Sequence, residues 1–453
     1  MSGAAGQAAD PVEQRIEAAL APGRFVFDRA CFSFVGDLEA VEREIADLVE
    51  VAPGRAVALY EAFLAGCYEK ADEVDDSSDS LGMFVTSLCC GWVQARQAAG
   101  AAADETATRL LEWVDDDPFG FCYRLERDVA KVLDAVGLAA LASQVRTRLD
   151  KVSTAGLKTE SDESLERDPA RRRLAEVLRT LYRQQGDLEA YLGLAQETGL
   201  TAADCHAVAV MLAARGAPGQ ALSWVERGIE LDSTAPHSSF SGHELAALKP
   251  GLLKELGRDR ETLEVVWARY RQQPSKYSYD DLMQLVPSPE RAEWHERAIR
   301  AAMAADPSSL IGLLCETGEI ERLAEVVRGS SDDALEAVSH YVLEPAATRL
   351  EQTQPGVAAR LWRAVGMRVV NAGKSKYYDA AIRGLARSRR CYEQAGLTAD
   401  WQQVVSLVRG RHHRKIGFML GFEAMVEGSG DGVEPSFLER AKARWGRPAG
   451  PLS

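Results

Sequence analysis

The sequence predicts an all-α protein, a TPR-like α-solenoid built from stacked helical hairpins. Two observations predict this fold class. Alanine, leucine, glutamate and arginine dominate the 453 residues, and these residue types favour helix. From Arg171 to about residue 330, apolar helices end at a glycine or proline and a second amphipathic helix follows each turn. The hairpins could continue into one superhelix along the chain.

The turns set the period of the repeat. They fall at Gly186, Gly216, Gly257, Pro287 and Gly318, which are 30, 41, 30 and 31 residues apart. The segments that precede them are alike: LYRQQG, LAARG, LKELG, LMQLVP and LLCETG. One hairpin cannot bury its own apolar face, so neighbouring hairpins must stack to form a core.

Composition and periodicity divide the chain into six predicted regions. These are an N-terminal arm with a weak helix (1–36), an acidic helical-hairpin region (37–150), a linker or loop (151–170), regular TPR-like repeats (171–330), C-terminal helices with a basic patch (331–426) and a tail (427–453).

Several local features are predicted in the front regions. RFVFDRACFSF (24–34) alternates as a strand does and is expected to form an extended arm on the first helices. Asp37 and Asp79 are expected to cap helices, and Gly137 is expected to end one. In WVDDDPFGF (113–121), Phe119 and Phe121 are expected to return to the core.

Further along, Pro250-Gly251 is expected to kink or restart a helix. Beyond Gly318 the periodicity is weaker. It predicts helices near 332–343, 355–371, 374–395 and 399–420.

The composition also bears on where the protein works. No run of 18 apolar residues occurs, so no membrane span is expected, and the N-terminus lacks the basic and apolar regions of a signal peptide. None of the eight cysteines belongs to a C-x-x-C pair, and most lie in apolar runs. This pattern is typical of buried free thiols, and a cytoplasmic location is expected.

Motifs for chemistry fail at their spacing. His243-Glu244 begins like H-E-x-x-H, but position 247 is alanine, so the second zinc ligand is missing. An EF-hand loop starting at Asp75 would need glycine and glutamate where Ser80 and Thr86 stand. No G-x-S-x-G, Walker loop or G-x-G-x-x-G occurs. We therefore expect no catalytic residue, metal or cofactor.

The net charge of −15 is unevenly placed. Residues 1–150 hold 27 acidic against 13 basic residues, whereas residues 374–415 hold ten basic against three acidic ones. The candidate binding patch for nucleic acid or an acidic partner consists of Lys374, Lys376, Arg383, Arg387, Arg390, Arg409, Arg411, Arg414 and Lys415. A solvated face, or docking on acids of this chain or of a second copy, would explain the same charges.

Aromatic residues at helical spacing are expected to be mostly core between repeats. Tyr277 and Tyr279 follow Pro274 at a helix entry and are the candidate groove aromatics, expected to be partly exposed.

Three stretches carry a family resemblance: 72–82, 254–283 and 376–415. Together they resemble a largely uncharacterised family of bacterial helical-repeat proteins, similar to the C-terminal helical region of SWIM zinc-finger proteins. The resemblance implies a TPR-like solenoid with a basic final helix pair. It does not extend to the finger, because a SWIM site needs C-x-C and this chain has none.

The predicted function is a non-enzymatic scaffold that binds a protein or peptide partner, because a solenoid displays a long concave surface. The alternative is a nucleic-acid-associated factor that uses the basic C-terminal helices. Homo-oligomers could form by pairing the acidic front with the basic rear.

Overall fold

A computed structural model describes residues 10–156, 169–234 and 239–428. These residues form α-helices, three short 3₁₀ turns and one isolated β-bridge, which confirms the all-α prediction. The chain divides into two compact units, Met1–Leu252 and Leu253–Ser453, and each is described by itself. The boundary lies inside the predicted repeat region 171–330.

The first unit consists of helices that pack mostly against their neighbours in sequence. Their bounds are α1 Pro11–Ala19, α2 Asp28–Ala46, α3 Leu48–Val51, α4 Pro53–Lys70, α5 Ser80–Ala98, α6 Ala103–Asp115, α7 Glu126–Val132, α8 Ala135–Gly156, α9 Pro169–Gln185, α10 Leu188–Thr198, α11 Ala202–Ala214, α12 Pro218–Thr234 and α13 Phe240–Glu255, whose last turn enters the second unit.

The second unit continues the same pattern of helix pairs. Its helices are α14 Asp259–Gln272, α15 Lys276–Leu285, α16 Arg291–Ala302, α17 Pro307–Thr317, α18 Ile320–Gly329, α19 Asp332–Ala337, α20 His340–Leu350, α21 Pro355–Asn371, α22 Tyr378–Gln394, α23 Thr398–His412 and α24 Ile416–Glu427.

Helices α4 and α5 pack to form part of the core of the acidic region, 37–150. Tyr60 and Phe63 of α4 and Trp92 of α5 are buried, and the ring centroids of Phe63 and Phe84 lie 5.3 Å apart. Gly91 allows this packing, because a Cβ there would lie 2.5 Å from the Tyr60 ring. The acidic region therefore contains an ordinary hydrophobic core.

The prediction of an extended arm over 24–34 is wrong for most of its length. Val26 alone pairs with Val74, and α2 begins at Asp28. Lys70 fixes the segment before α2, because its buried ammonium donates to the carbonyls of Ala21 (2.9 Å) and Arg24 (2.8 Å). Three of the four aromatic residues that suggested a strand, Phe25, Phe27 and Phe32, are exposed, whereas Phe34 packs against the core.

Three predicted helix ends are also wrong. Asp37 lies inside α2, and Gly137 lies in the first turn of α8. Asp79 occupies the residue before α5, but its side chain does not cap the helix. The Asp76 carboxylate does so by accepting from the Leu81 and Gly82 amides, both at 2.9 Å.

Other boundaries differ less. The predicted linker 151–170 is helical at both described ends, and its residues 157–168 lie outside the described ranges, as does the tail beyond 428. Helix α13 continues through Pro250 without restarting. Phe119 is exposed rather than core, whereas Phe121 packs against the core.

The C-terminal helices are shorter than predicted. The predicted helix 332–343 is two helices, α19 and α20, and the predicted helix 399–420 divides after His412. Residues 355–371 form α21 as predicted.

The predicted hairpin turns are confirmed. Gly186, Gly216, Gly257 and Gly318 adopt φ between 68° and 82°, the left-handed region that a Cβ disfavours, and each joins two helices. Pro287 separates α15 from α16. Helices of neighbouring hairpins also contact each other, α10 with α11 in the first unit and α14 with α15 and α15 with α17 in the second, so the predicted stacking of hairpins holds within each unit.

Replacing Gly216 by alanine should therefore lower the free energy of unfolding by about 1 kcal/mol through backbone strain alone. A Cβ at Gly216 would meet no atom within 4 Å, so no steric clash contributes. The matched control is Gly193→Ala inside α10, where the space is also open and φ is helical. It should raise the free energy by about 0.5–1 kcal/mol. Urea unfolding measures both, and equal shifts in one direction would contradict the strain explanation.

Candidate binding surface

Helices α21 and α22 form the framework of the candidate surface. Their backbones approach closely at two glycines, because a Cβ on Gly384 would lie 3.3 Å from the Gly366 nitrogen. The buried Ser388 hydroxyl donates to the Ala359 carbonyl at 2.8 Å across the same contact. Ala381 and Leu385 are also buried here, whereas Arg383 and Arg390 of the same helix are exposed.

The nine predicted basic residues fall into two groups. Three are engaged within the protein: Arg387 pairs with Glu351, Arg409 with Glu423, and the Lys415 ammonium donates to the Val370 carbonyl. Six are exposed and have no ion pair or side-chain hydrogen bond with any described residue. They are Lys374, Lys376, Arg383, Arg390, Arg411 and Arg414.

Arg387 is held in place by an aromatic ring and a carboxylate. Its guanidinium lies 4.0 Å from the centroid of the Trp362 ring, and its Nη2 forms an ion pair with a Glu351 carboxylate oxygen 3.2 Å away. The same carboxylate accepts from the Trp362 indole nitrogen at 2.7 Å. This arrangement fixes the guanidinium plane and covers one of its faces.

A groove opens beside this arginine, between α20 and α21–α22. Its volume is about 740 Å³. The lining residues are His340, Tyr341, Glu344, Pro345, Thr348, Arg349, Trp362 and Arg387. Tyr341 is 80% exposed, and its ring lies 4.0 Å from that of His340.

The sequence analysis did not identify the α20 side of this groove. The helix itself was predicted to end near residue 343, so His340 and Tyr341 were not recognised as facing Arg387. In the sequence, only an aromatic residue at the start of a helix, Tyr341, could have indicated this side of the groove.

Other arginines of α21 have structural roles. Arg363 is buried and pairs with Glu336 at 2.8 Å and Asp332 at 2.9 Å. Burial raises the pKa of the Glu336 carboxyl, while Arg363 opposes that rise. Asn371 donates to the same carboxylate at 2.6 Å. These contacts join α19 to α21 and stiffen the framework behind the groove.

The two candidate groove aromatics differ in exposure. Tyr277 is 85% exposed on α15. Tyr279 is partly buried, and its hydroxyl is bonded to His295 Nδ1 at 2.7 Å, while His295 Nε2 lies 2.9 Å from Glu319. Burial raises the pKa of the Tyr279 hydroxyl. Tyr279 therefore links α15 to α16 and, through His295, to the turn before α18, whereas Tyr277 is exposed and could meet a partner.

The cysteines are buried except for Cys90, and all eight are free thiols. Burial raises the pKa of Cys67 to about 12 and that of Cys90 to about 11, so their reactive thiolate forms are disfavoured. Cys122 differs, because a hydrogen bond with Cys89 lowers the pKa of its thiol.

Within the described ranges, no group of three or more His, Cys, Asp or Glu side chains is placed to hold a metal ion. His243 lies in the first turn of α13, where the Ser239 hydroxyl accepts from the Gly242 amide at 3.1 Å. None of the described helices has the length and hydropathy of a membrane span.

His412 ends α23 beneath the basic side chains. It is buried, and neither ring nitrogen has a hydrogen-bond partner among the described residues. Burial lowers the pKa of this imidazole, and the charges of Lys415 and Arg411 lower it further. The folded protein therefore keeps His412 neutral at the end of a helix that carries cations.

The lowered pKa of His412 predicts that the folded protein loses stability in mild acid. The unfolded chain binds a proton near pH 6.5, whereas the folded chain binds it only at lower pH, so the free energy of unfolding should fall as the pH drops below about 6.5. His412→Leu should remove that part of the pH dependence and should stabilise the protein at pH 5.5. Melting temperatures at pH 7.5 and 5.5 measure this. The matched control is His413→Leu, which removes the exposed neighbouring imidazole. An unchanged pH dependence in His412→Leu would contradict the prediction.

Comparisons with known proteins give one family and two distant folds. No curated protein matches the chain. The structure of Naa15/Naa10 bound to HypK-THB is 12% identical, with a TM-score of 0.30 over 88% of this chain. The chain spans 63% of the length of that protein. A circular tandem repeat protein with novel repeat topology is 14% identical, with a TM-score of 0.17 over 92% of this chain and 96% of its own.

The family match is far more extensive. A family model described as a family of unknown function, DUF6880, matches residues 2–420. This range includes both units' described helices up to the first turn of α24. The chain therefore belongs to the DUF6880 family.

Proposed function

We propose that the protein is a non-enzymatic helical-repeat scaffold that binds an acidic segment of a protein partner. The binding surface is the groove beside Arg387 together with the outer side of α22. We place the protein in the cytoplasm, because its eight cysteines are free thiols. A relation to the helical region of SWIM zinc-finger proteins remains part of the proposal.

The observation that carries the proposal is the set of six exposed basic side chains on α22, α23 and the turns beside them, none of which has an ion pair or side-chain hydrogen bond with a described residue. In a chain of net charge −15, unpaired cations concentrated here create a local positive potential. Their side chains are already solvated and unpaired, so a partner's carboxylates need not break existing ion pairs to bind them. Arginine also favours carboxylates through its fork of parallel donors.

The groove adds the apolar contacts that charges alone do not provide. Tyr341 presents most of its ring to solvent, and Trp362 and Arg387 form the facing wall. Exposed tyrosines and fixed arginines are the residue types that most often dominate binding energy at interfaces. A segment that combines acidic residues with an apolar side chain would match both parts of the surface.

A nucleic-acid partner is the second candidate. Tyr377 is 50% exposed beside the unpaired Lys376, whose ammonium lies 5.8 Å from the ring centroid. An exposed ring next to cations could stack on a base while the cations contact phosphates. A second copy of the chain, docking its acidic front here, is the third.

Photocrosslinking can identify what occupies the groove. A photoreactive phenylalanine analogue in place of Tyr341 should crosslink, in cells, to an acidic segment of another protein, which mass spectrometry would identify. Reversing Arg383, Arg390, Arg411 and Arg414 to Glu should reduce that crosslink at least tenfold, since four attractive charges become repulsive. Arg387 stays unchanged in this variant because it supports Trp362.

The matched control is Arg260→Glu on α14, where the side chain is 92% exposed. It should leave the crosslink intact. Persistence of the crosslink in the four-charge variant would overturn the proposal. Crosslinks to the protein itself would instead indicate a homo-oligomer, and a salt-sensitive gel shift lost in the same variant would favour nucleic acid.

A further inference from the structure

A second concave site lies in the first unit and is independent of the surface described above. It is a cleft of about 680 Å³ between α9, α10, α11 and α13, with the turn before α7 at one end. Six arginines line it: Arg124, Arg127, Arg171, Arg172, Arg179 and Arg183. Such a concentration is unusual in a unit whose first 150 residues hold 27 acidic against 13 basic residues.

Two carboxylates at the cleft are already neutralised. Asp204 is 1% exposed and accepts from Arg179 at 2.7 Å, from the Tyr191 hydroxyl at 3.0 Å and from the Thr201 amide at 3.0 Å. Glu126 is buried and receives two hydrogen bonds from Arg173, at 2.7 and 3.0 Å. These two ion pairs form part of the wall. Each carboxylate is therefore already compensated by its own arginine and does not balance the charge of the remaining arginines.

Four of the lining arginines stay unpaired. Arg124, Arg127, Arg172 and Arg183 are exposed and form no ion pair or side-chain hydrogen bond with a described residue. Arg171 makes only long contacts, at 3.4 Å to the Ser153 hydroxyl and the Glu197 carbonyl. Only Glu176 and Glu244 remain in the lining as further acids. The cations therefore repel each other across the cleft unless an anion binds between them.

Helix dipoles add to this potential. The first turns of α11 and α13 contribute Ala203 and Ser241 to the lining. The N-terminus of a helix carries a partial positive charge, so these two first turns at the lining make the local potential more positive.

Arg124 is held in a strained conformation at the edge of the cleft. Its φ is 62°, and only Asp79 shares a positive φ among the described non-glycine residues. Its guanidinium lies 5.0 Å from the centroid of the Tyr123 ring. This backbone region is unfavourable for a residue with a Cβ, and such strain concentrates at functional sites.

We propose that this cleft binds a small molecule that carries two or more phosphate groups. Phosphate accepts the parallel donors of a guanidinium and brings more charge per group than a carboxylate, and the four unpaired arginines suit several phosphate oxygens at once. The volume falls within the range of about 300–1,000 Å³ typical of small-molecule sites. The ligand could be an inorganic polyphosphate or a nucleotide, since both present the same groups.

Isothermal titration of the full-length protein tests this at low, constant ionic strength. Affinity should rise from orthophosphate to pyrophosphate to tripolyphosphate, and bound tripolyphosphate should raise the melting temperature. Parallel titrations with ADP and ATP distinguish the sources. If ADP binds more tightly than pyrophosphate and ATP more tightly than tripolyphosphate, the ligand is a nucleotide. If their affinities are equal, the ligand is an inorganic polyphosphate.

Arg172→Gln and Arg183→Gln should each weaken tripolyphosphate binding about tenfold, the usual scale for one charge-assisted hydrogen bond. The matched control is Arg29→Gln, an exposed arginine of α2 outside the cleft, which should bind as the wild type does. Arg124→Gly is more discriminating. It should raise the melting temperature of the free protein by relieving strain, and should weaken binding.

Three results would overturn the proposal: no binding of any phosphate compound, equal affinity for tripolyphosphate and for sulfate, or unchanged affinity in the cleft variants. A doubly phosphorylated peptide that binds while every small compound fails would also overturn it. The four-charge variant of α22 and α23 should bind tripolyphosphate normally, so failure of this proposal and failure of the scaffold proposal are distinguishable.

Discussion

The left-handed turn between paired helices is the constraint on which the fold depends. Gly186, Gly216, Gly257 and Gly318 reverse the chain with φ near +70° or +80°, so that the second helix returns along the first. Only then can the two apolar stripes and those of the next pair enclose a common core. The glycine contact of α21–α22 relies on helices brought together in this way, because Gly373 in the turn between them has φ 65°.

The fold could be predicted from the sequence because its determinants are local. A turn glycine and an apolar stripe are legible within about fifteen residues. Caps were harder: Asp79 stands where a cap is expected, but Asp76, three residues earlier, reaches the free amides. The division after His412 also escaped prediction, because the apolar pattern continues across it.

The candidate sites were harder to predict from the sequence, because they depend on which side chains of other helices lie nearby. Spacing alone placed nine cations in one region, yet Glu351, Glu423 and the Val370 carbonyl engage three of them. The arginine-lined cleft could not be recognised, since Arg124 and Arg183 are 59 positions apart in the sequence. Contacts of that range arise only when hairpins stack.

The close approach of Gly366 and Gly384 has a consequence for how this surface could diversify. The two hydrogen atoms that stand where side chains would begin set the separation of α21 and α22, and Trp362 and Arg387 lie on those same helices. A methyl group at Gly366 would lie 2.9 Å from the Ala381 carbonyl oxygen and would force the helices apart. The shape of the groove is thus linked to two glycines that are not among the residues lining it, whereas the exposed cations around it could change without altering that shape.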